Sequence, residues 1–282
     1  MVTRPASGWH ADAIGSAVPD GLTLFMQPFH NLGTGAVQGY EVLIRHRAIS
    51  QLRLRTASEL MAGLDVEQAI MLDRWVVEQS AAVLGQWRRN GVARDTIVSI
   101  NTSMTTLCSR EFVSHITDVL VAQAIPADRV LFDLDIDRLA RHEFSARLLG
   151  ALDQLRGAGF TFCIDRITVA GLRSVAEEVW PRVDIGKLSP EVFTSVGPGA
   201  NVEPSGRIAP IIHALHQRHV PVVATGIETC EQLDLVRRLG CEWAQGYLLG
   251  APAPVPAFPE QRSGACALQR HREGDRGAHY TL

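Results

Sequence analysis

Polar side chains recur at one place in the pattern of this chain. Asn101, Asp133 with Asp135, Asp165, Lys187, Thr225 with Glu228, and Gln245 each stand at or just past the carboxyl end of a short apolar stretch. Carboxylate and amide oxygens are hard ligands that suit Mg²⁺, Mn²⁺ or Ca²⁺ better than softer metals. Taken singly, each could cap a helix or face solvent; gathered at one end of one sheet, they would line a common pocket. Lys187 is the only lysine among 27 basic residues. Arginine-biased coding explains the other cations. It leaves one position where a compact, titratable ammonium stands instead of a permanently charged planar fork. The stretch Thr161–Ile167 puts Thr161, Cys163 and Asp165 on one face and Phe162 and Ile164 on the other. It ends on an acid, Asp165, with a base, Arg166, beside it.

The elements that must carry these residues alternate regularly. Leu22–Phe29 reads as a strand, turned through Asn31–Gly35 into a second strand, Gln38–His46, with Gly33 and Gly35 supplying the backbone freedom of a tight hairpin. Asp65 with Gln68 predicts a capping box for a long helix that shows Leu72, Val76, Val83 and Trp87 on one face and closes at Gly91. Strands are then predicted at 96–101, 130–136, 161–167, 183–188, 221–227 and 243–249, separated by helical faces. These faces include Phe112/Ile116/Val119/Leu120, Leu148/Leu152/Leu155 and Ile208/Ile211/Ile212/Leu215, and a short helix is expected to run to Trp180. Thr229 with Gln232 caps the last helix. Strands alternating with helices read as parallel βα units. There are enough of them to close a (β/α)8 barrel of TIM type, with an antiparallel strand near the N-terminus and a site at the carboxyl ends of the strands. Residues 21–253 are read as that barrel, 1–20 as a flexible lead-in and 254–282 as a disordered tail.

Composition narrows the function. A length of 282 residues suits one such barrel, and 46% hydrophobic and 20% charged residues are ordinary globular values. A net charge of −3 argues against a general nucleic-acid binder. No apolar run reaches the roughly 20 residues that span a bilayer, so neither a membrane nor nucleic acid is an expected partner. Five cysteines without C-x-x-C spacing read as reduced residues of a cytoplasmic protein.

Five stretches carry a family resemblance, in order. Glu41-Val-Leu-Ile-Arg45, following Gln27-Pro28, resembles the E-A-L-L-R signature of EAL domains, the cyclic di-GMP phosphodiesterases. Ser99-Ile-Asn-Thr-Ser103 resembles their V-N-L-S strand, Lys187-Leu188 their I-K-I-D strand, and Ala224-Thr-Gly-Ile-Glu-Thr229 their A-E-G-V-E-T. Gln245-Gly-Tyr-Leu-Leu-Gly250 followed by Pro252 resembles Q-G-Y-x-F-x-x-P. The resemblance spans about residues 22–253. It implies Glu41, Asn101, Asp133 and Asp165 as ligands of one metal, Mg²⁺ or Mn²⁺, and Lys187 as the residue that orients the attacking water. It implies Gln27, Arg45, Glu228 and Gln245 around the nucleotide.

The departures matter more. The second Asp of the family's D-D-F-G loop is Arg166 here, and the Glu of A-E-G is Thr225. The second Glu of its E-x-T-E strand is Ile136. Two of the three groups expected around a second metal are gone, and two-metal cleavage needs charge neutralised on both attacking and leaving oxygens. The expectation is a non-hydrolytic member acting as a cyclic di-GMP receptor or protein-binding regulator, with the second metal site lost. Two alternatives stand beside it: a slow phosphodiesterase with a one-metal site, and a scaffold independent of nucleotide. An unidentified protein partner and a homodimer are left open. Glu41, Asn101, Asp133, Asp165 and Lys187 are expected in one pocket. Arg166 is expected to pair with Asp165, to fill the missing metal's place against a ligand phosphate, or to turn outward into solvent because the rewritten loop no longer holds the family geometry, and Lys187 could pair with Asp165.

Overall fold

The computed structural model describes residues 21–47, 54–56, 64–91, 94–139, 146–193 and 205–255. Strand β1 (Leu22–Asn31) turns through Gly35, at φ +77°, into β2 (Val37–Arg47), to which β3 (Leu54–Thr56) adds. Helix α1 (Val66–Arg89) starts at the expected capping box, with both the Asp65 and the Gln68 hydrogen bonds formed. The four first backbone N–H groups of a helix lack internal partners, and this exchange satisfies part of that deficit. Then come β4 (Ile97–Asn101), α2 (Met104–Leu107), α3 (Arg110–Ala122), β5 (Val130–Asp135), α4 (Ile136–Leu139) and α5 (Ala146–Gly157). Next is β6 (Thr161–Ile167), followed by α6 (Val169–Ser174) and β7 (Ile185–Leu188). The chain continues through α7 (Ser205–His216), β8 (Val222–Ala224), α8 (Cys230–Arg238, with the Thr229/Gln232 capping box), β9 (Trp243–Gln245) and β10 (Ala253–Pro254).

The sheet closes on itself in the order β1-β9-β8-β7-β6-β5-β4-β2, with β1 pairing β2 again. Strand β1 runs antiparallel to both its neighbours, and all other pairings around the ring are parallel. This is the eight-stranded TIM-type barrel with one reversed strand.

Alternation sorts the side chains into two cores. Inside the ring, Phe29, Leu131, Cys163, Ile185 and Val223 form an apolar floor with Ile97 and Trp243. Outside it, the opposite faces of the strands meet the helices. There Phe132 is fully buried among Phe112, Phe160 and Phe162, with ring centroids 5.5–6.2 Å apart. Burying one such ring is worth about 1.5–3 kcal/mol. Helix α1 packs Leu72, Val76, Leu84 and Trp87 into this layer, and Trp87 meets Tyr40 of β2 at 5.5 Å.

Several expected bounds differ from the fold. The runs at 221–227 and 243–249 are strands only over Val222–Ala224 and Trp243–Gln245, and Ile136 opens α4 rather than ending β5. The helix after β6 ends at Ser174 rather than Trp180. Ala253–Pro254, across the expected boundary between barrel and tail, pairs antiparallel with Phe25 and Met26, outside the ring, where a proline is tolerated. The expected lead-in 1–20 and the tail beyond 255 lie outside the described residues. No described helix is long and apolar enough to cross a membrane.

Candidate functional site

Above the apolar floor, the inward-facing positions turn polar one residue pair further along each strand. Ser99 on β4, Asp133 on β5 and Lys187 on β7 meet there. Lys187 Nζ donates to Asp133 Oδ2 at 2.5 Å and to Ser99 Oγ at 2.6 Å, while the Ser99 hydroxyl donates to the same carboxylate at 2.5 Å. The Lys187 and Asp133 side chains are 2% and 0% exposed. Burial opposes the ammonium charge, but Asp133, Glu41, Cys163 and Asp165 around it outweigh that cost and hold Lys187 protonated. Burial likewise raises the Asp133 carboxyl, against the pull of Lys187. The partner of Lys187 is therefore Asp133 and not the Asp165 that sequence suggested. Side chains of alternate strands share a layer inside such a barrel, so β7 reaches β5 across the interior more readily than its direct neighbour β6.

The next layer is a network of side-chain oxygens and amides. Glu41 on β2 accepts from Asn101 Nδ2 at 3.1 Å and from Gln245 Nε2 at 2.7 Å. Gln245 Nε2 also donates to Gln27 Oε1 at 3.1 Å, and Gln27 Nε2 donates to the Gly250 carbonyl at 3.0 Å. Asp165, at the end of β6, has its carboxyl pushed up to about 7. Burial is the main cause; Lys187 opposes it, and Asp133 and Glu41 reinforce it.

Two cavities open onto this layer. The larger, about 350 Å³, is lined by Gln27, Glu41, Asp165, Arg166, Thr225, Glu228 and Gln245 among others. The smaller, about 160 Å³, is lined by Asp73, Asn101, Ser103, Asp133, Asp135 and Arg138 among others. The single pocket expected for five residues is thus divided. Glu41 and Asp165 line one side, Asn101 and Asp133 the other, the Glu41–Asn101 hydrogen bond joins the two, and Lys187 lies buried below.

Arg166 adopts neither of the inward placements expected of it; of the three, the outward turn is the nearest, with its side chain half exposed. It sits at φ +60°, in the bulge between Ile164 and Ile167 where the β6–β7 register shifts. Its Nη2 donates to Asp135 Oδ2 at 2.7 Å and to Asp137 Oδ2 at 2.8 Å. A bulge inserts one residue and re-aims its side chain; here it turns the guanidinium over the end of β5, away from the Asp165 carboxylate. Asp165 receives the Arg166 backbone N–H instead. Arg45 does not reach the acids either: its Nη1 donates to the Ile44 carbonyl and its guanidinium lies 5.6 Å from the Phe25 ring centroid. The Thr225 hydroxyl donates to the Leu188 carbonyl at 2.5 Å. Ile136 is buried in the outer core.

Among the described residues no three His, Cys, Asp or Glu side chains group closely enough to hold an ion by themselves. The chemistry of the donors is nevertheless that of a hard cation: Glu41, Asp165 and the Asn101 amide oxygen, with Asp133 Oδ1 buried and without a partner. A carboxyl raised first by burial and then by neighbouring acids is one that a bound dication would return to its charged form.

Three residues of the site had not been singled out. Ser99 is fully buried and completes the Lys187–Asp133 contact; its place two residues before Asn101 on the same strand face is the signal that marks it. Asp137 follows Asp135 by the same spacing. Asp73, buried on α1, accepts from the Ser103 N–H and the Thr106 hydroxyl. It is legible only as an acid on an apolar helix stripe.

With this geometry in place, the comparisons with known proteins agree with one another. Residues 14–252 match the family model of the EAL domain. A protein of Azorhizobium caulinodans is 26% identical over 242 residues, covering 83% of this chain and 31% of that protein. Rv1357c of Mycobacterium tuberculosis is 26% identical over 246 residues, covering 84% and 77%. The chain spans only about a third of the length of the first curated relatives it matches. Among solved structures, the EAL enzyme Bd1971 in its cAMP- and cyclic di-GMP-bound form superimposes with TM-score 0.70 at 22% identity, over 84% of this chain and 63% of that one. The EAL domain of Xanthomonas citri FimX in complex with cyclic di-GMP gives 0.72 at 15% identity, over 86% and 91%. At such identities these likenesses show the fold.

Proposed function

Given that this chain belongs to the EAL domain family, we propose that it is a degenerate member that takes up cyclic di-GMP without hydrolysing it, as a cytoplasmic receptor or protein-binding regulator. The observation that carries this reading is the pair Arg166 and Thr225. One is an arginine at the sequence position where the family has an acid, and its guanidinium is held by Asp135 and Asp137. The other spends its hydroxyl on the Leu188 carbonyl. Neither is a carboxylate, so neither supplies the anionic oxygen that a second hard dication needs. Lys187, the residue matching the water-orienting lysine, is engaged with Asp133 and Ser99. Generating hydroxide on one metal while a second steadies the leaving oxygen is therefore not supported by the residues present. Gln27, Glu41, Glu228 and Gln245 line the cavity that would receive the nucleotide.

A slow phosphodiesterase is the second reading, and one observation favours it. Glu41 and Asn101 remain in contact at their strand ends, and the buried Asp165 carboxyl, raised by burial with Asp133 and Glu41 reinforcing it, is one that a bound Mg²⁺ or Mn²⁺ would hold charged. One experiment separates the two. Cyclic di-GMP is titrated calorimetrically with and without Mg²⁺, and the product is then analysed by chromatography. Binding with no linear dinucleotide formed supports the receptor, turnover supports the enzyme, and absence of binding supports a scaffold. Anomalous diffraction after a Mn²⁺ soak is expected to show no ion beside Arg166 and Thr225; two ions there would sink the receptor reading.

A further inference from the structure

We propose that Arg166 is the anion-binding side chain of the larger cavity. In this role a dianionic cyclic dinucleotide draws its guanidinium off Asp135 and Asp137 onto a phosphate, so that ligand binding unlatches β6 from the β5–α4 turn. This rests on the receptor reading and adds to it the residue that supplies the countercharge. Among the described residues lining the cavity, Glu41, Asp165 and Glu228 are acids and Arg166 is the one cation. Lys187, below, is committed to Asp133 and Ser99. A phosphodiester dianion entering this space meets net negative charge except at Arg166.

The present partners of Arg166 are replaceable. The Arg166, Asp135 and Asp137 side chains are 49%, 36% and 63% exposed, and ion pairs in that setting are among the weakest in proteins. Both bonds leave from Nη2, so the fork geometry that binds phosphate bidentately through Nη1 or Nε is not used. Asp135 loses little by the exchange. Its other oxygen, Oδ1, already accepts from the Asp137 and Arg138 N–H groups at 2.9 and 3.3 Å, so it keeps the first turn of α4 capped. The bulge at Arg166, with its positive φ, leaves the side chain at the boundary between that turn and the cavity.

The test is calorimetric titration of the full chain with cyclic di-GMP in EDTA. Arg166→Ala is expected to weaken binding at least tenfold. Asp135→Asn with Asp137→Asn, which keeps the cap but removes the competing charges, is expected to tighten it about three- to tenfold. The triple variant should match Arg166→Ala. Arg166→Gln serves if the alanine variant does not fold, with thermal melting reported for each protein. Wild-type binding that stays within twofold in both Arg166 variants overturns this proposal and leaves the receptor reading standing. No binding by the wild type overturns the receptor reading and this proposal with it.

Discussion

The Lys187–Asp133–Ser99 contact can be weighed by a double-mutant cycle. Lys187→Met removes the buried cation that faces Asp133, Glu41 and Asp165 and leaves the buried Asp133 carboxylate without its countercharge. Breaking a buried pair by removing one partner costs about 3–5 kcal/mol. Asp133→Asn is expected to cost less, about 1.5–3 kcal/mol, the range for a hydrogen bond to a charged group, because Lys187 keeps Glu41 and Asp165 nearby. The double variant should lose less than the sum by at least about 1 kcal/mol, since contacting residues couple by roughly 0.5–3 kcal/mol. Urea denaturation at pH 7, with all four proteins in EDTA, measures each value. Additive losses, with coupling below about 0.5 kcal/mol, would refute the buried pair and return Lys187 to the cavity as a group free to orient water. Repeating the cycle in Mg²⁺ asks whether Asp133 changes partner when a cation is supplied.

The other expectations concern separate parts of the molecule. His30 is 0% exposed with neither ring nitrogen hydrogen-bonded, and burial lowers its pKa to about 4. The folded His30 therefore stays neutral while the unfolded one takes up a proton below about 6.5. Stability is fully present above that pH and falls as pH drops toward 4, by about 2 kcal/mol at pH 5. Urea midpoints of His30→Leu and wild type, compared at pH 7 and 5, should show the variant missing that part of the loss; equal losses would refute the assignment. A Cβ on Gly246 would lie 2.1 Å from the Ile227 carbonyl oxygen and 2.2 Å from its nitrogen. Gly246→Ala should therefore lose about 3 kcal/mol or more in denaturation, as overpacking against backbone does. Asp65→Ala removes one half of the capping box on α1 and should cost about 1 kcal/mol by the same assay. Arg166→Asp with Thr225→Glu should acquire Mg²⁺-dependent cyclic di-GMP hydrolysis, read by chromatography. If it stays inactive, the cause of silence lies in the loop after β6 or in Asp133.

The barrel was legible because its rules are local. Capping at Asp65 and Thr229 depends on residues three apart, and the in–out sorting of Thr161–Ile167 depends on a period of two. Residues 253–254 escaped because a proline-rich pair carries no strand signal, and its pairing with Phe25 and Met26 is supplied by β1. The polar strand ends were legible for the same reason as the strands: parallel neighbours in register bring Asn101 beside Asp133 and Asp135 beside Asp165. Partner choice was not. Lys187 carries the same reach toward Asp133 and Asp165 along the chain, and only the crossing of alternate strands in the closed interior selects Asp133. Arg166 stands next to Asp165 in sequence. Adjacent residues of a regular strand point to opposite faces, and a one-residue bulge at φ +60° decides that its guanidinium lands on Asp135 and Asp137 of another strand's end.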